Sequence, residues 1–156
     1  ELVTKEGKSP KTEFVGKSAK YILDKIGITV GDDVKVILME AKEDHPFVQV
    51  ELMMPILPLV RVPDVDQAIE MAVRVEHGNR HTAMMHSRNV EKLTKMAKLI
   101  QTTIFVKNGP SYAGIGVGGE GYTTFTIAGP TGEGLTSAKS FARRRRCVLV
   151  GGMDVR

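Results

Sequence analysis

Apolar positions along this chain switch between two spacings, and the switches mark out its elements. Ala19, Ile22, Leu23 and Ile26 recur every three or four residues, which predicts a helix over 18–26 that Gly27 ends. Val34 to Met39 is a short β-rich apolar run and predicts a buried strand. The Phe47–Val50 run, FVQV, is also strand-like, after a turn at His45-Pro46. Ile56 to Val62 is a further strand candidate, placed at a sheet edge by Pro58. Asp64 with Gln67 three residues on has the pattern of a capping box. The helix it opens buries Ala68, Ile69, Ala72 and Val73 and stops at Gly78. Thr82 to His86 reads as a strand. Ser87 or Asn89 caps the next helix, whose apolar face carries Val90, Leu93, Met96, Ala97 and Ile100. Thr103 to Val106 is another strand, Thr136 or Ser137 starts a short helix, and Cys147 to Val150 forms a last strand. Residues 1–15, broken by Lys8, Ser9 and Pro10, read as a loop or frayed end.

Strands alternating with helices predict an α/β fold with a largely parallel sheet flanked by helices. The 156 residues fit one domain, and 42% hydrophobic with 26% charged residues is ordinary for a globular chain. The eight methionines include the pairs Met53-Met54 and Met84-Met85 inside apolar runs, where adaptable thioethers fill gaps. A net charge of +4 favours anionic ligands such as nucleotides without making a nucleic-acid binder. One cysteine allows no internal disulfide and no cysteine-rich metal cluster, and fits a reducing compartment such as the cytoplasm. No apolar run approaches the roughly 20 residues that a membrane helix needs. The first residue is Glu and the start is polar, so the sequence is expected to begin inside a longer chain.

Several motifs carry candidate chemistry. G-x-G-x-x-G occurs twice, at Gly114, Gly116, Gly119 and at Gly116, Gly118, Gly121, after the strand at 103–106. A dinucleotide fingerprint needs a helix next, and Tyr122 to Ile127 is β-branched and aromatic instead. The glycines therefore read as a mobile or ligand-lining loop, and no Walker A pair is present. His77 and His81 are four apart, but Gly78 and Asn79 separate them without a zincin glutamate, so no metal site is expected. The Arg143–Arg146 run beside CVLV reads as a solvated edge or subunit contact. Cys147 lies between Arg146 and Val148 on an apolar strand, a structural setting rather than a nucleophile's. Glu51, a carboxylate among apolar residues before Pro55, either reaches solvent or has a partner.

Three segments together resemble a known family. The tail from Gly118 to Val150, GGEGYTTFTIAGPTGEGLTSAKSFARRRRCVLV, is similar to the C-terminal end of CoA-acylating aldehyde dehydrogenases. ELMMP at Glu51–Pro55 resembles the E-x-F-G-P motif of the aldehyde dehydrogenase superfamily, with Met53 for Phe and Met54 for Gly. HGNRHTAMMH at 77–86 resembles the acylating branch. The resemblance implies that residues 1–156 are the C-terminal portion of an aldehyde dehydrogenase catalytic domain. It implies NAD as cofactor and coenzyme A as co-substrate, with a short aldehyde converted to acyl-CoA through a thioester. Glu51, Met53 and Pro55 would bind the cofactor, and Thr126 and Gly129 would lie near the acyl or CoA channel. The nucleophilic cysteine and the main NAD-binding domain would lie upstream, so no catalytic residue is assigned within this sequence and the chain alone is expected to be inactive. A homo-oligomer through the C-terminal strand is implied, in the cytoplasm or inside a bacterial microcompartment, without nucleic acid or membrane as partner. The alternative is a non-catalytic oligomerisation or binding module sharing that piece of fold.

Overall fold

Ser18 Oγ accepts the Tyr21 backbone N–H at 3.2 Å and opens helix α1, Ala19–Asp24. Gly27, at φ 77°, turns the chain away behind it. This structure, a computed structural model, describes residues 2–119, 138–143, 145, 148 and 150. The chain forms two compact units, Glu1–Gly78 and Asn79–Arg156.

In the first unit the segment expected to be frayed is ordered. Strands β1 (Thr4–Lys5) and β2 (Ser9–Pro10) pair antiparallel, and a 3-10 turn follows at Thr12–Phe14. Val3 and Phe14 are buried with Ile22 of α1 in the unit's core, against which Tyr21, Ile37, Phe47, Met54 and Ile56 pack. The reason is tertiary: two isolated apolar residues in a polar stretch have no periodicity, yet both reach the same core.

Strands β3 (Ile37–Glu40) and β4 (Ile56–Leu59) run parallel, with Ile37 opposite Ile56 and Glu40 opposite Leu59. β3 is not the buried strand expected at 34–39. One face, with Ile37 and Met39, is half-buried, and Leu38 on the other is 66% exposed. The Ile37 N–H donates to Pro55 O and the Ala41 N–H to Leu59 O, so odd-numbered residues of β4 face β3. Pro58, which has no N–H, sits at an outward position, as its edge assignment requires. Between the strands, FVQV is helical rather than extended. Helix α2 (Pro46–Gln49) has Pro46 at its first turn, and His45 Nδ1 caps it by accepting the Phe47 N–H at 3.1 Å.

Helix α3 (Val65–Val75) starts at Asp64, whose carboxylate accepts the Gln67 backbone N–H and side-chain amide, both at 2.9 Å. Ile69 is buried, while Ala68, Ala72 and Val73 are half-buried. Arg74 donates from Nε and Nη2 to the two carboxylate oxygens of Glu43 at 2.9 and 3.0 Å. The hydrogen bond from Arg74 holds the Glu43 carboxyl below its ordinary value, and the Gln67 N–H does the same for Asp64. A carboxyl held low in the folded chain stabilises it above its ordinary value, 4.5 for Glu43 and 3.8 for Asp64. That contribution is lost as pH falls through the lowered folded value. The urea midpoint is therefore expected to hold from pH 7 to about 5 and to fall at more acid pH. Asp64→Ala should lower the midpoint at pH 7 and make the acid limb shallower, whereas an unchanged limb would refute the assignment.

In the second unit β5 (Thr82–Met85) and β6 (Ile104–Lys107) run parallel around helix α4 (Val90–Ile100). Asn89, not Ser87, is the cap: its Oδ1 accepts the Lys92 N–H at 3.0 Å, and Ser87 Oγ accepts the Asn89 N–H. Leu93, Met96 and Ile100 are buried as expected, but Ala97 and Val90 are exposed. The buried stripe follows the 93–96–100 row, and Ala97 lies just past its edge. A 3-10 turn at Ser111–Ile115 follows β6, and another occupies Ala138–Phe141. The expected starts of the last helix, Thr136 and Ser137, lie outside the described residues, as do Cys147 and Leu149 of the expected last strand; Val148 and Val150 are exposed. The parallel strand pairs joined through helices carry the α/β class that the alternation predicts.

Candidate functional site

The segment from Glu51 to Pro55 leaves α2 and enters β4, and three contacts fix it. Leu52 is buried. The Met53 carbonyl accepts the Gly16 N–H at 3.1 Å. The Pro55 carbonyl accepts the Ile37 N–H at 2.8 Å and starts the β3–β4 ladder. Met53 has a left-handed backbone, φ 54°, sparsely populated by residues with a side chain. Its side chain is exposed, while Met54 packs against the core.

Met53, Met54 and Pro55 form one side of an open cleft of about 610 Å³. Val34 adds apolar surface, and Gly16 to Lys20, Asp32 and Lys35 complete the lining. Lys20 Nζ donates to Asp32 Oδ1 at 3.2 Å, and Lys35 Nζ donates to the Asp32 carbonyl at 2.5 Å. Lys17 Nζ lies 5.6 Å from the centroid of the Tyr21 ring. Of the cofactor residues expected from sequence, Met53 and Pro55 share this cleft. Glu51 is not among its lining residues. It is exposed, and makes no side-chain hydrogen bond or ion pair among the described residues. Thr126 and Gly129 lie outside the described residues, as do Cys147, Arg144 and Arg146.

The lysines were not singled out in the sequence. Lys17 and Lys20 flank the Ser18 cap, and Lys35 follows Asp32-Asp33. Each reads locally as solvated surface charge, and only the fold brings the two segments to one cleft. The glycine loop has a structural explanation. A β-carbon at Gly114 would overlap the Ile104 side chain, and one at Gly119 would lie 2.8 Å from the Ala113 carbonyl oxygen. Gly116 and Gly118 have φ 96° and 72°. Gly109, Gly114, Gly118 and Gly119 border a second open cleft, of about 600 Å³, with β6. His77 occupies a left-handed position behind α3, and His81 Nδ1 lies 2.7 Å from Thr82 Oγ1. No group of three or more His, Cys, Asp or Glu among the described residues is arranged to hold a metal ion. Among them, too, no helix is long and apolar enough to cross a membrane.

Comparison with known proteins gives this geometry its family. The aldehyde dehydrogenase family profile matches residues 34–133. A propanal dehydrogenase (CoA-propanoylating) of Salmonella typhimurium strain LT2 is 54% identical over 152 residues, 97% of this chain and 32% of its own length. The crystal structure of Rhodopseudomonas palustris propionaldehyde dehydrogenase with bound propionyl-CoA aligns at TM-score 0.84 and 72% identity, over 95% of this chain and 32% of that one. An engineered glycolyl-CoA reductase with bound NADP+ aligns at TM-score 0.84 and 72% identity, over 95% of this chain and 33% of that one. The chain thus spans about a third of the length of the relatives it matches. With most of both strand–helix–strand units inside the matched region, the chain belongs to the aldehyde dehydrogenase family, and its relatives include CoA-acylating members.

Proposed function

We propose that this chain forms the cofactor-facing part of an enzyme that oxidises a short aldehyde to its acyl-CoA with a nicotinamide dinucleotide. The observation that carries the reading is the Glu51–Pro55 segment: it is fixed by Leu52, the Met53 carbonyl and the Pro55 carbonyl, and its exposed face borders an open cleft. The residues present suit such a cofactor. Glu51 has a free carboxylate able to accept hydrogen bonds from a vicinal diol such as a ribose, which suits an acceptor-only group. Met53 and Pro55 offer apolar surface beside it. A polarisable thioether at Met53 suits contact with a flat heteroaromatic ring. When bound, the dinucleotide supplies the hydride acceptor, and this chain's residues orient it. NAD is taken as the dinucleotide, the form that the family resemblance implies. The relatives' bound propionyl-CoA supports coenzyme A as the acyl acceptor. Formation of an oligomer and residence in the cytoplasm or a microcompartment belong to the same proposal.

The test is NADH formation from propanal, with and without coenzyme A, by this chain and by the longest open reading frame that contains it. CoA-dependent turnover by the longer protein, unchanged by Cys147→Ser, is the expected result. No turnover there would overturn the reading. Glu51→Gln in the same protein is expected to lower kcat/KM for NAD about tenfold, the scale of a hydrogen bond to a charged group. The KM for propanal should stay within error. An unchanged kcat/KM for NAD would remove Glu51 from the cofactor site.

A further inference from the structure

We propose that Gly16 is a positioning residue for the Glu51–Pro55 segment: the turn it closes aims its N–H at the Met53 carbonyl and holds Met53 in its left-handed conformation. The inference rests on the cofactor reading above and adds a residue far from that segment in the chain. Phe14 to Lys17 form a β-turn, closed by the Lys17 N–H donating to the Phe14 carbonyl at 3.1 Å. Val15 has φ −61° and ψ 127°, and Gly16 has φ 71°. These angles make it a type II turn, whose third residue needs a positive φ and whose middle peptide is turned over relative to type I. That peptide carries the Gly16 N–H. The N–H groups of Phe14, Val15 and Lys17 all bond within residues 11–17, whereas that of Gly16 crosses to Met53 at 3.1 Å.

Both ends of the bond are anchored. Phe14 and Ala19 are buried on either side of the turn. Leu52 is buried before Met53, and Met54 packs against the core after it. The next two carbonyls have partners of their own: Met54 O accepts the Ile56 N–H and Pro55 O the Ile37 N–H, both at 2.8 Å. Gly16 thus supplies the bond at the residue whose backbone is strained, with φ 54°. Space does not require glycine at this position, since an added Cβ would meet nothing within 4 Å. The turn type does. A residue that prefers negative φ converts the turn to type I and rotates the middle peptide by about half a turn. The N–H then leaves Met53, and the Val15 carbonyl takes its side. Met53 can relax, and the face it shows to the cleft changes with it.

The experiment compares Gly16→Ala, Gly16→Asn and Gly27→Ala with the unsubstituted protein, all in the longest open reading frame that contains this chain. Gly27 is the control. It also has a positive φ, 77°, and open space around it, but its N–H bonds locally to Asp24 O. Gly16→Ala should lower kcat/KM for NAD about tenfold, the upper scale of one neutral hydrogen bond, with the KM for propanal within error. Gly16→Asn should recover most of that loss, because Asn tolerates the third position of a type II turn. Gly27→Ala should lower the urea midpoint as Gly16→Ala does and leave kcat/KM for NAD unchanged. Equal kinetic losses in the two alanine variants would make backbone strain the cause and overturn the proposal. So would an Asn variant as impaired as the Ala variant. A Gly16 amide that exchanges hydrogen as fast as an exposed one in the unsubstituted protein would overturn it whether or not the variants fold. If Gly16→Ala leaves kcat/KM for NAD unchanged while Glu51→Gln lowers it, the proposal fails and the cofactor reading stands. If Gly16→Ala lowers it and Glu51→Gln does not, Gly16 keeps its role through Met53 and Glu51 leaves the cofactor site. No turnover by the unsubstituted protein overturns both.

Discussion

Phe14→Ala is expected to destabilise the Glu1–Gly78 unit by about 3–5 kcal/mol, the range for removing a buried aromatic ring. Phe14 is 2% exposed and stands in the core with Val3 and Ile22. Its ring meets Tyr21 edge-on, with centroids 6.1 Å apart and planes at 61°. Alanine would leave a void between a two-residue hairpin and a six-residue helix, elements too short to hold their shape alone. Collapse of this corner reaches the site, because Gly16 lies two residues on and its N–H holds the Met53 carbonyl. The measurement is the urea midpoint together with hydrogen exchange at the Ile37 and Ala41 amides, which bond to Pro55 and to β4. Both amides should lose protection in the variant. A midpoint within error of the parent would mean that Phe14 is not a core residue.

The second large effect is expected at Gly114→Ala. The added carbon meets the side chains of Ile104 and Val106, each 7% exposed, so β6 has no free space on that side. Overpacking of this kind costs about 1–3 kcal/mol. Gly118 provides the contrast: it has φ 72° but open space around its Cα, so alanine there meets backbone strain alone. Exchange at the Ile104 and Asn108 amides, bonded to His81 O and Met85 O, reports on the β5–β6 pair. Gly114→Ala combined with Ile104→Ala should recover part of the loss, since the two changes share one space. Equal effects at Gly114 and Gly118 would count against packing as the cause.

The sequence was most legible where structure is local. Ser18, Asp64 and Asn89 each cap the helix that starts behind them, because a side-chain acceptor and its N–H target lie within three residues. The 93–96–100 row was legible for the same reason. Val3 and Phe14 were not, since what buries them is contributed by residues as distant in the chain as Met54 and Ile56. FVQV misleads because β-branched and aromatic residues favour strands, while Pro46 and the His45 cap decide a four-residue helix. The exposure of Leu38 and Leu57 could not be read from an apolar run, which looks the same whether one face or both are covered. At the candidate site, ELMMP was legible as a motif and the lysines lining its cleft were not, because they come together only once Gly16–Lys20 and Asp32–Lys35 meet Met53.

Pro58 has a consequence for behaviour at high concentration. Leu57 and Leu59 leave β4 with exposed apolar side chains, the kind of segment on which a second molecule can template a growing cross-strand stack. Such a stack needs an outward N–H at every second residue, and the pyrrolidine nitrogen at residue 58 interrupts that series in the middle of a four-residue strand. β4 thus carries its own gatekeeper: the sticky face persists, but the backbone zipper that would turn stickiness into fibres cannot run its length.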